Sequence, residues 1–153
     1  MPGLSDAGVC QRIKTVDPSP VLDVLADLRF IDTKKCTAWI VHPSAPPQEL
    51  KDFVASLGLG GTTMRMFLRK LMPGQNIEPH VDAWIPEDQH WRRFQVPLQT
   101  HPSVMMRWPD DGVEEHLEVG WLYEVRFDRT HEVVNPSSIE RIHIQVDQMG
   151  ATI

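Results

Sequence analysis

The stretch Arg141-Ile142-His143-Ile144-Gln145-Val146-Asp147 decides how this chain folds, because its side chains alternate between polar and apolar residue by residue. Successive side chains of a β-strand point to opposite faces of a sheet, so Arg141, His143 and Gln145 share one face. Two explanations fit this alternation equally well. Either the polar face lies in solvent over an apolar core, or it lines a polar barrel interior whose apolar back is covered by helices.

Short β segments separated by turn residues continue this pattern over residues 62–148, the predicted core. Eight segments with no helix among them favour a closed barrel or a double-sheet jelly roll. The predicted segments are Met64–Met72, Ile77–Trp84, Arg92–Thr100, Val104–Trp108, Glu115–Val119, Trp121–Phe127, His131–Val134 and Ile139–Val146.

Residues 1–61 mix helix and strand signals and are expected to cover one outer face of that core, within a single domain over residues 1–153. A helix is predicted from Ser19, as N-cap, and Pro20, in the first turn, to about Leu28. A short strand is predicted over Cys36–Val41. A second helix after Pro46-Pro47 places four apolar residues on one face, Leu50, Phe53, Val54 and Leu57.

Composition argues against several classes of function. The chain carries a net charge of −6, and its longest basic cluster, Arg65–Lys70, is short, which disfavours nucleic acid as a partner. It has no apolar run of the length needed to span a membrane, and no signal peptide is expected at its N-terminus. Cys10 and Cys36 are in no metal-binding spacing, so we expect reduced thiols in a cytoplasmic protein.

His80 and Asp82 lie two residues apart in a predicted strand, so both side chains can converge on one metal ion. His131 begins the seventh predicted strand, which can neighbour the second in a rolled sheet. Two histidines and one carboxylate leave coordination positions open, a set diagnostic of non-haem Fe(II) oxygenases. The turn after Asn135 is expected to fold the eighth strand back along the seventh, so that Arg141 reaches the metal and holds a dicarboxylate cosubstrate.

Five motifs follow one another along the chain: Pro73-Gly74-x-x-Ile77-x-Pro79-His80-x-Asp82, Arg93-x-Gln95-x-Pro97-Leu98, Gly120-Trp121, His131-x-Val133-x-Asn135 and Arg141-Ile142-His143. In this order they resemble the aspartyl/asparaginyl β-hydroxylase family. The resemblance implies a mainly β, cupin-like double-stranded β-helix and an Fe(II)- and 2-oxoglutarate-dependent dioxygenase. Such an enzyme uses O2 to hydroxylate an aspartyl- or asparaginyl-type C–H, while 2-oxoglutarate is oxidatively decarboxylated to succinate and CO2.

The resemblance also implies roles for individual residues. By position, His80, Asp82 and His131 match the iron-binding, catalytic triad. Arg141 matches the residue that pairs with the far carboxylate of 2-oxoglutarate. Arg93 matches an arginine near the end of the cosubstrate that binds iron.

Several residues near these positions are departures or additions. Gln95 stands where the family usually has histidine, and Arg69 stands where some members have a small hydroxyl residue. His143 shares the face of Arg141 and is a further candidate for the cosubstrate site. The loop between Trp84 and Trp91 could form a lid or a substrate wall.

Two other functions fit the same residues. The enzyme could hydroxylate a free amino acid or a small metabolite such as proline, so the expected substrate is an amino acid or a peptidyl residue. The chain could instead be a non-catalytic, cupin-like module that binds a metal or ligand. Arg141 and Arg93 argue against that module, because a simple metal binder needs no carboxylate clamps beside its ion.

Overall fold

The computed structural model describes residues 8–25, 31–33, 38–40, 46–83 and 85–153. Within these ranges, eleven strands and two α-helices form the fold. The helices are α1 (Ser19–Leu22) and α2 (Gln48–Ser56), with short 3-10 turns at Glu87–Gln89 and Pro109–Asp111. The strands are β1 (Cys10–Thr15), β2 (Ile31–Thr33), β3 (Ala38–Ile40), β4 (Thr62–Leu71), β5 (Asn76–His80), β6 (Trp91–Gln99), β7 (Met105–Trp108), β8 (Val113–Glu115), β9 (Trp121–Val125), β10 (His131–Val134) and β11 (Arg141–Met149).

Two antiparallel sheets make up the body of the protein. The larger sheet has the order β1-β9-β6-β11-β4-β3-β2, and the smaller sheet has the order β5-β10-β7-β8. Buried residues of both sheets meet between them, among them Leu71 and Val125 of the larger sheet and Met106 and Val133 of the smaller. The fold is therefore the predicted double-stranded β-helix, of the jelly-roll, cupin-like type.

The outward face of the larger sheet is apolar and is covered by both α-helices. Leu50 and Phe53 of α2 and Val21 of α1 belong to the same buried cluster as Ile144 and Val146 of β11. The alternate residues of β11 are also buried, since Arg141 is 2% exposed and Gln145 is 4% exposed. The second explanation of the alternation is thus correct: the polar face lines the interior.

The N-terminal region covers the larger sheet and also adds a strand to it, because β1 pairs with β9 at its edge. The sequence signals did not predict this strand, whose burial is only partial. Helix α1 is shorter than expected, and its N-cap is Pro18, while the Ser19 hydroxyl donates to Asp17 Oδ1 at 2.5 Å. Of the predicted elements, Leu28 and the ends of segment Cys36–Val41 lie outside the described residues.

Three further details of the predicted strands are wrong. The fifth core strand precedes its predicted position, because residues 116–120 form a turn in which the Glu118 N–H donates to Tyr123 Oη at 2.9 Å. Strand β5 ends at His80 and does not reach Asp82. Strand β11 pairs with β4 and β6 and not with β10, so the turn after Asn135 carries the chain from one sheet to the other.

None of the helices in the described ranges is long and apolar enough to cross a membrane.

Candidate metal centre and interior polar pocket

The two histidines of the predicted triad face each other across neighbouring strands. Strands β5 and β10 pair antiparallel, with His80 directly opposite His131. Their ring centroids are 4.4 Å apart. One ligand atom from each of His80, Asp82 and His131 lies within 4.8 Å of the others, a grouping that could hold one metal ion. The predicted adjacency of the second and seventh core strands is confirmed.

Backbone carbonyls orient both imidazoles. His80 Nδ1 lies 2.7 Å from the Glu78 carbonyl oxygen, and His131 Nδ1 lies 2.7 Å from that of Arg129. Since a carbonyl can only accept, each Nδ1 carries a proton, and Nε2 is the nitrogen left to coordinate a metal ion. Both Nε2 atoms point towards Asp82, at 3.6 Å from Oδ1 for His80 and 3.7 Å from Oδ2 for His131.

The protonation states of the centre suit metal binding. Burial lowers the pKa of His131, which keeps this ring neutral and able to coordinate. For Asp82, burial acts to raise the pKa, but the charge and hydrogen bond of Arg93 outweigh it and lower the pKa overall. The carboxylate is therefore ionised. Two imidazoles and one carboxylate are the donor set of a divalent transition metal.

Asp82 reaches the centre from a loop, and two contacts hold it there. Its backbone N–H donates to the Phe127 carbonyl oxygen at 3.2 Å. Its Oδ2 accepts from Arg93 Nη1 at 2.5 Å. The other edge of the Arg93 guanidinium makes two hydrogen bonds to Asp147, at 2.7 and 3.1 Å. Arg93 thus joins the loop carboxylate to a buried carboxylate of β11.

Arg141, Gln95 and His143 form a second buried group deeper in the barrel. Gln95 Oε1 accepts from His143 Nδ1 at 2.9 Å and from Arg141 Nη2 at 3.4 Å. Burial lowers the pKa of His143 well below its ordinary value, so its ring is neutral. Burial, and secondarily the charge of Arg69, lowers the pKa of Arg141 to about 9, which leaves the guanidinium charged at neutral pH. Gln95, which stands where the family usually has histidine, acts here as an acceptor through Oε1.

Two cavities adjoin the centre. A small one, of about 40 Å³, lies inside the barrel and connects the triad with Arg69, Gln95, Arg141 and Gln145. A larger one, of about 540 Å³, lies on the other side of Asp82 and Arg93. Its wall includes Ile85, Trp91, Val125, Arg126 and Phe127.

Of the predicted lid residues, Trp91 lines the larger cavity and donates from Nε1 to Gln89 Oε1 at 2.9 Å, while Trp84 lies outside the described residues. Two interior residues were missed by the sequence interpretation as site residues, Asp147 and Gln145. The strand parity that placed Arg141 on the inner face could have found both, because they lie six and four residues further along the same face.

No protein-family model matches the chain, and no curated protein matches it either. Solved structures do. A Pseudomonas putida prolyl-4-hydroxylase aligns with a TM-score of 0.65 and 15% identity, over 92% of this chain and 91% of that chain. A viral collagen prolyl hydroxylase of Paramecium bursaria Chlorella virus-1, solved as its 2OG complex, aligns with a TM-score of 0.65 and 14% identity, over 95% of this chain and 98% of that chain.

A Burkholderia pseudomallei oxidoreductase of the 2OG-Fe(II) oxygenase family aligns with a TM-score of 0.63 and 12% identity, over 86% of this chain and 76% of that chain. At these identities the likeness shows the fold. It agrees with the fold implied by the sequence resemblance and does not select the aspartyl/asparaginyl family within it.

Proposed function

We propose that this protein is an Fe(II)- and 2-oxoglutarate-dependent dioxygenase that hydroxylates a C–H bond of an amino-acid substrate. The observation that carries the proposal is the convergence of His80, Asp82 and His131, with both imidazole Nε2 atoms turned towards the carboxylate. The same barrel interior holds a buried, charged Arg141. The 2OG-Fe(II) oxygenase fold of the solved structures supports the same reaction class.

The residues present fit both groups. His80, Asp82 and His131 would hold Fe(II) and leave coordination positions open for a chelating cosubstrate and O2. Arg141 would bind the distal carboxylate of 2-oxoglutarate, since its Nε has no hydrogen-bond partner and no described carboxylate forms an ion pair with it. When bound, iron and 2-oxoglutarate supply the oxidising power that inserts one atom of O2 into a C–H bond, with succinate and CO2 as coproducts.

The contribution of this chain's own residues is to orient and to exclude water. The Glu78 and Arg129 carbonyls fix the tautomer and the direction of the two imidazoles. Arg93 fixes Asp82 as a charged ligand, so we propose that it positions this ligand, in addition to the predicted role near the cosubstrate. Gln95 orients both Arg141 and His143 through its single carbonyl oxygen.

We propose that the substrate reaches the metal from the larger cavity, because this cavity shares Asp82 and Arg93 with the interior pocket. Its volume of about 540 Å³ lies in the range of ligand sites. A free amino acid would leave most of this space to water, so the volume favours a residue in a polypeptide. The sequence resemblance makes an aspartyl or asparaginyl residue the first candidate. A prolyl residue is the second candidate, because two of the similar structures are prolyl hydroxylases.

The test is succinate formation by purified protein with Fe(II), 2-oxoglutarate and O2, in the presence of three substrate sets. The sets are peptides containing aspartate or asparagine, peptides containing proline, and free amino acids. We expect succinate and a peptide that has gained one oxygen atom in the first set. Succinate that never exceeds the level made by His131→Ala protein, in any set, would contradict the proposed activity.

A further inference from the structure

Arg141 is a buried cation whose charge is not balanced within the described part of the chain. Arg141 is 2% exposed, and its one described hydrogen bond runs from Nη2 to Oε1 of the neutral Gln95, at 3.4 Å. The Nε atom is buried without a hydrogen-bond partner. A guanidinium held this way is destabilising unless an anion joins it, because burial removes its hydration.

A second arginine lies beside it on the same face. In the register of β4 and β11, Arg69 is opposite His143 and Leu71 is opposite Arg141. Arg69 and Arg141 are therefore diagonal neighbours, which places their Cα atoms about 7–8 Å apart, within reach of two long side chains. Both residues line the small interior cavity together with the metal triad.

The interior charges are unevenly distributed along the barrel. The carboxylates of Asp82 and Asp147 are both bound by Arg93, at the end near the loop that carries Asp82. The end that holds Arg69 and Arg141 is lined instead by the neutral side chains of Gln95 and Gln145. An anion that enters the cavity from the metal would thus meet two guanidinium groups at its far end.

We propose that Arg69 and Arg141 together form a two-guanidinium site for the distal carboxylate of a dicarboxylic 2-oxo acid, and that Arg69 sets how strictly this carboxylate is required. The inference rests on the proposed function, which assigns the metal-chelating end of the same acid to the triad. Its new element is Arg69, which adds a second guanidinium to the end of the pocket that holds Arg141.

The test compares two acids that differ only at the distal end, 2-oxoglutarate and 2-oxopentanoate. Binding of each is measured by calorimetry to Zn(II)-loaded protein, so that no turnover is needed. We expect wild-type protein to bind 2-oxoglutarate about a hundredfold more tightly. Arg69→Gln should reduce the ratio of the two affinities, 2-oxoglutarate over 2-oxopentanoate, by about tenfold or more. The reduction should come from weaker 2-oxoglutarate binding alone, because one charge-assisted contact is lost.

The matched control is Lys70→Gln, which removes the same charge from the adjacent residue on the opposite face of β4 and should preserve the ratio. Arg69→Lys keeps the charge and loses the planar fork, so its ratio should fall between those of wild type and Arg69→Gln. If Arg69→Gln does not fold, as judged by circular dichroism, Arg69→Lys alone decides, and an unchanged ratio overturns the proposal.

Arg141→Gln separates this inference from the proposed function. A ratio that falls in Arg141→Gln but stays at the wild-type value in Arg69→Gln would overturn the role of Arg69 and leave the proposed function intact. If wild-type protein binds both acids equally, the cosubstrate assignment itself fails. A fall of the ratio in both variants, with no change in Lys70→Gln, supports the two-guanidinium site.

Discussion

The two faces of β11 are equally buried and differ in almost everything else. Ile142, Ile144 and Val146 pack outward against the α-helices, while Arg141 and His143 point into the barrel. The outward face removes apolar surface from water and so stabilises the fold. The inward face buries charges and amides, some of them with atoms that have no partner. The difference teaches that burial here serves stability on one side of the strand and, in the proposed function, ligand binding on the other.

The largest expected effect is on the metal. His131→Ala should abolish metal binding, because it removes one of three ligands, and loss of a supporting contact alone costs about 10–100-fold in affinity. Titration of the protein with Zn(II) measures the metal affinity, and a denaturant unfolding curve checks that the variant is folded. The neighbouring Glu132→Ala, on the other face of β10, should bind metal like wild type. Retained affinity in His131→Ala would rule out the triad.

The next effect concerns Arg93, which bridges the proposed metal ligand Asp82 and the buried Asp147 and so affects both stability and metal binding. Arg93→Gln leaves the carboxylates of Asp82 and Asp147 without their cation, so the free energy of unfolding should fall by about 3–5 kcal/mol. Metal affinity should fall about 10–100-fold as well. Chemical denaturation and Zn(II) titration measure both. Arg107→Gln, at a half-exposed arginine whose ion pair with Glu114 lies at the surface, should cost about 1 kcal/mol or less; an equal loss in both variants would contradict the bridge.

Adjacent residues of β11 should respond in opposite ways. Ile144→Ala should lower the free energy of unfolding by about 2–5 kcal/mol, because it leaves a cavity in the outward core, and should leave Zn(II) affinity unchanged. Gln145→Met removes a buried amide whose Nε2 has no partner, so stability should stay level or rise. If Ile144→Ala and Gln145→Met lowered the free energy of unfolding equally in denaturant, the two faces would have the same energetic role.

The smallest effect is on the pH dependence of stability. Burial, with the charges of Arg141 and His116, lowers the pKa of His143 well below that of a histidine in the unfolded chain, about 6.5. The unfolded state therefore binds more protons below about pH 6.5, and stability falls as the pH drops towards the folded-state pKa.

Denaturation at pH 7 and pH 5 checks this prediction. His143→Asn should lose about 1 kcal/mol less than wild type over this interval, within the limit of about 1.4 kcal/mol per pH unit for one proton. The exposed His101→Asn should lose as much as wild type. An identical pH dependence in all three proteins would show that His143 is not held neutral.

Much of the fold and of the site was predictable from local patterns. The alternation in β11 and the turn residues between segments indicated eight core strands, and the structure has eight strands from Thr62 onward. The spacing of His80 and Asp82 predicted that these two side chains could share a metal ion, and an expected strand adjacency and the family resemblance added His131. Such features are predictable because strand period and turn chemistry depend on neighbours in the chain.

Other features depended on contacts between distant residues. That β11 lies beside β4 and β6, and not beside β10, follows from which strands exchange backbone hydrogen bonds. The strand β1 forms because β9 offers it an edge. No local signal links Arg93 with Asp147, 54 residues away, since their contact exists only when β6 and β11 are paired.

The amino-acid sequence by itself determined the alternation of β11 and the number of core strands, because these follow from side-chain chemistry at short range. It identified the three metal-binding candidates through an expected strand adjacency and the family resemblance. Which way the polar face of β11 points was decided by the tertiary structure alone. Helices α1 and α2 cover the apolar side and the smaller sheet covers the polar side, so Arg69 and Arg141 line one interior cavity. A strand's period is local, but the choice of which face turns inward depends on what packs against each.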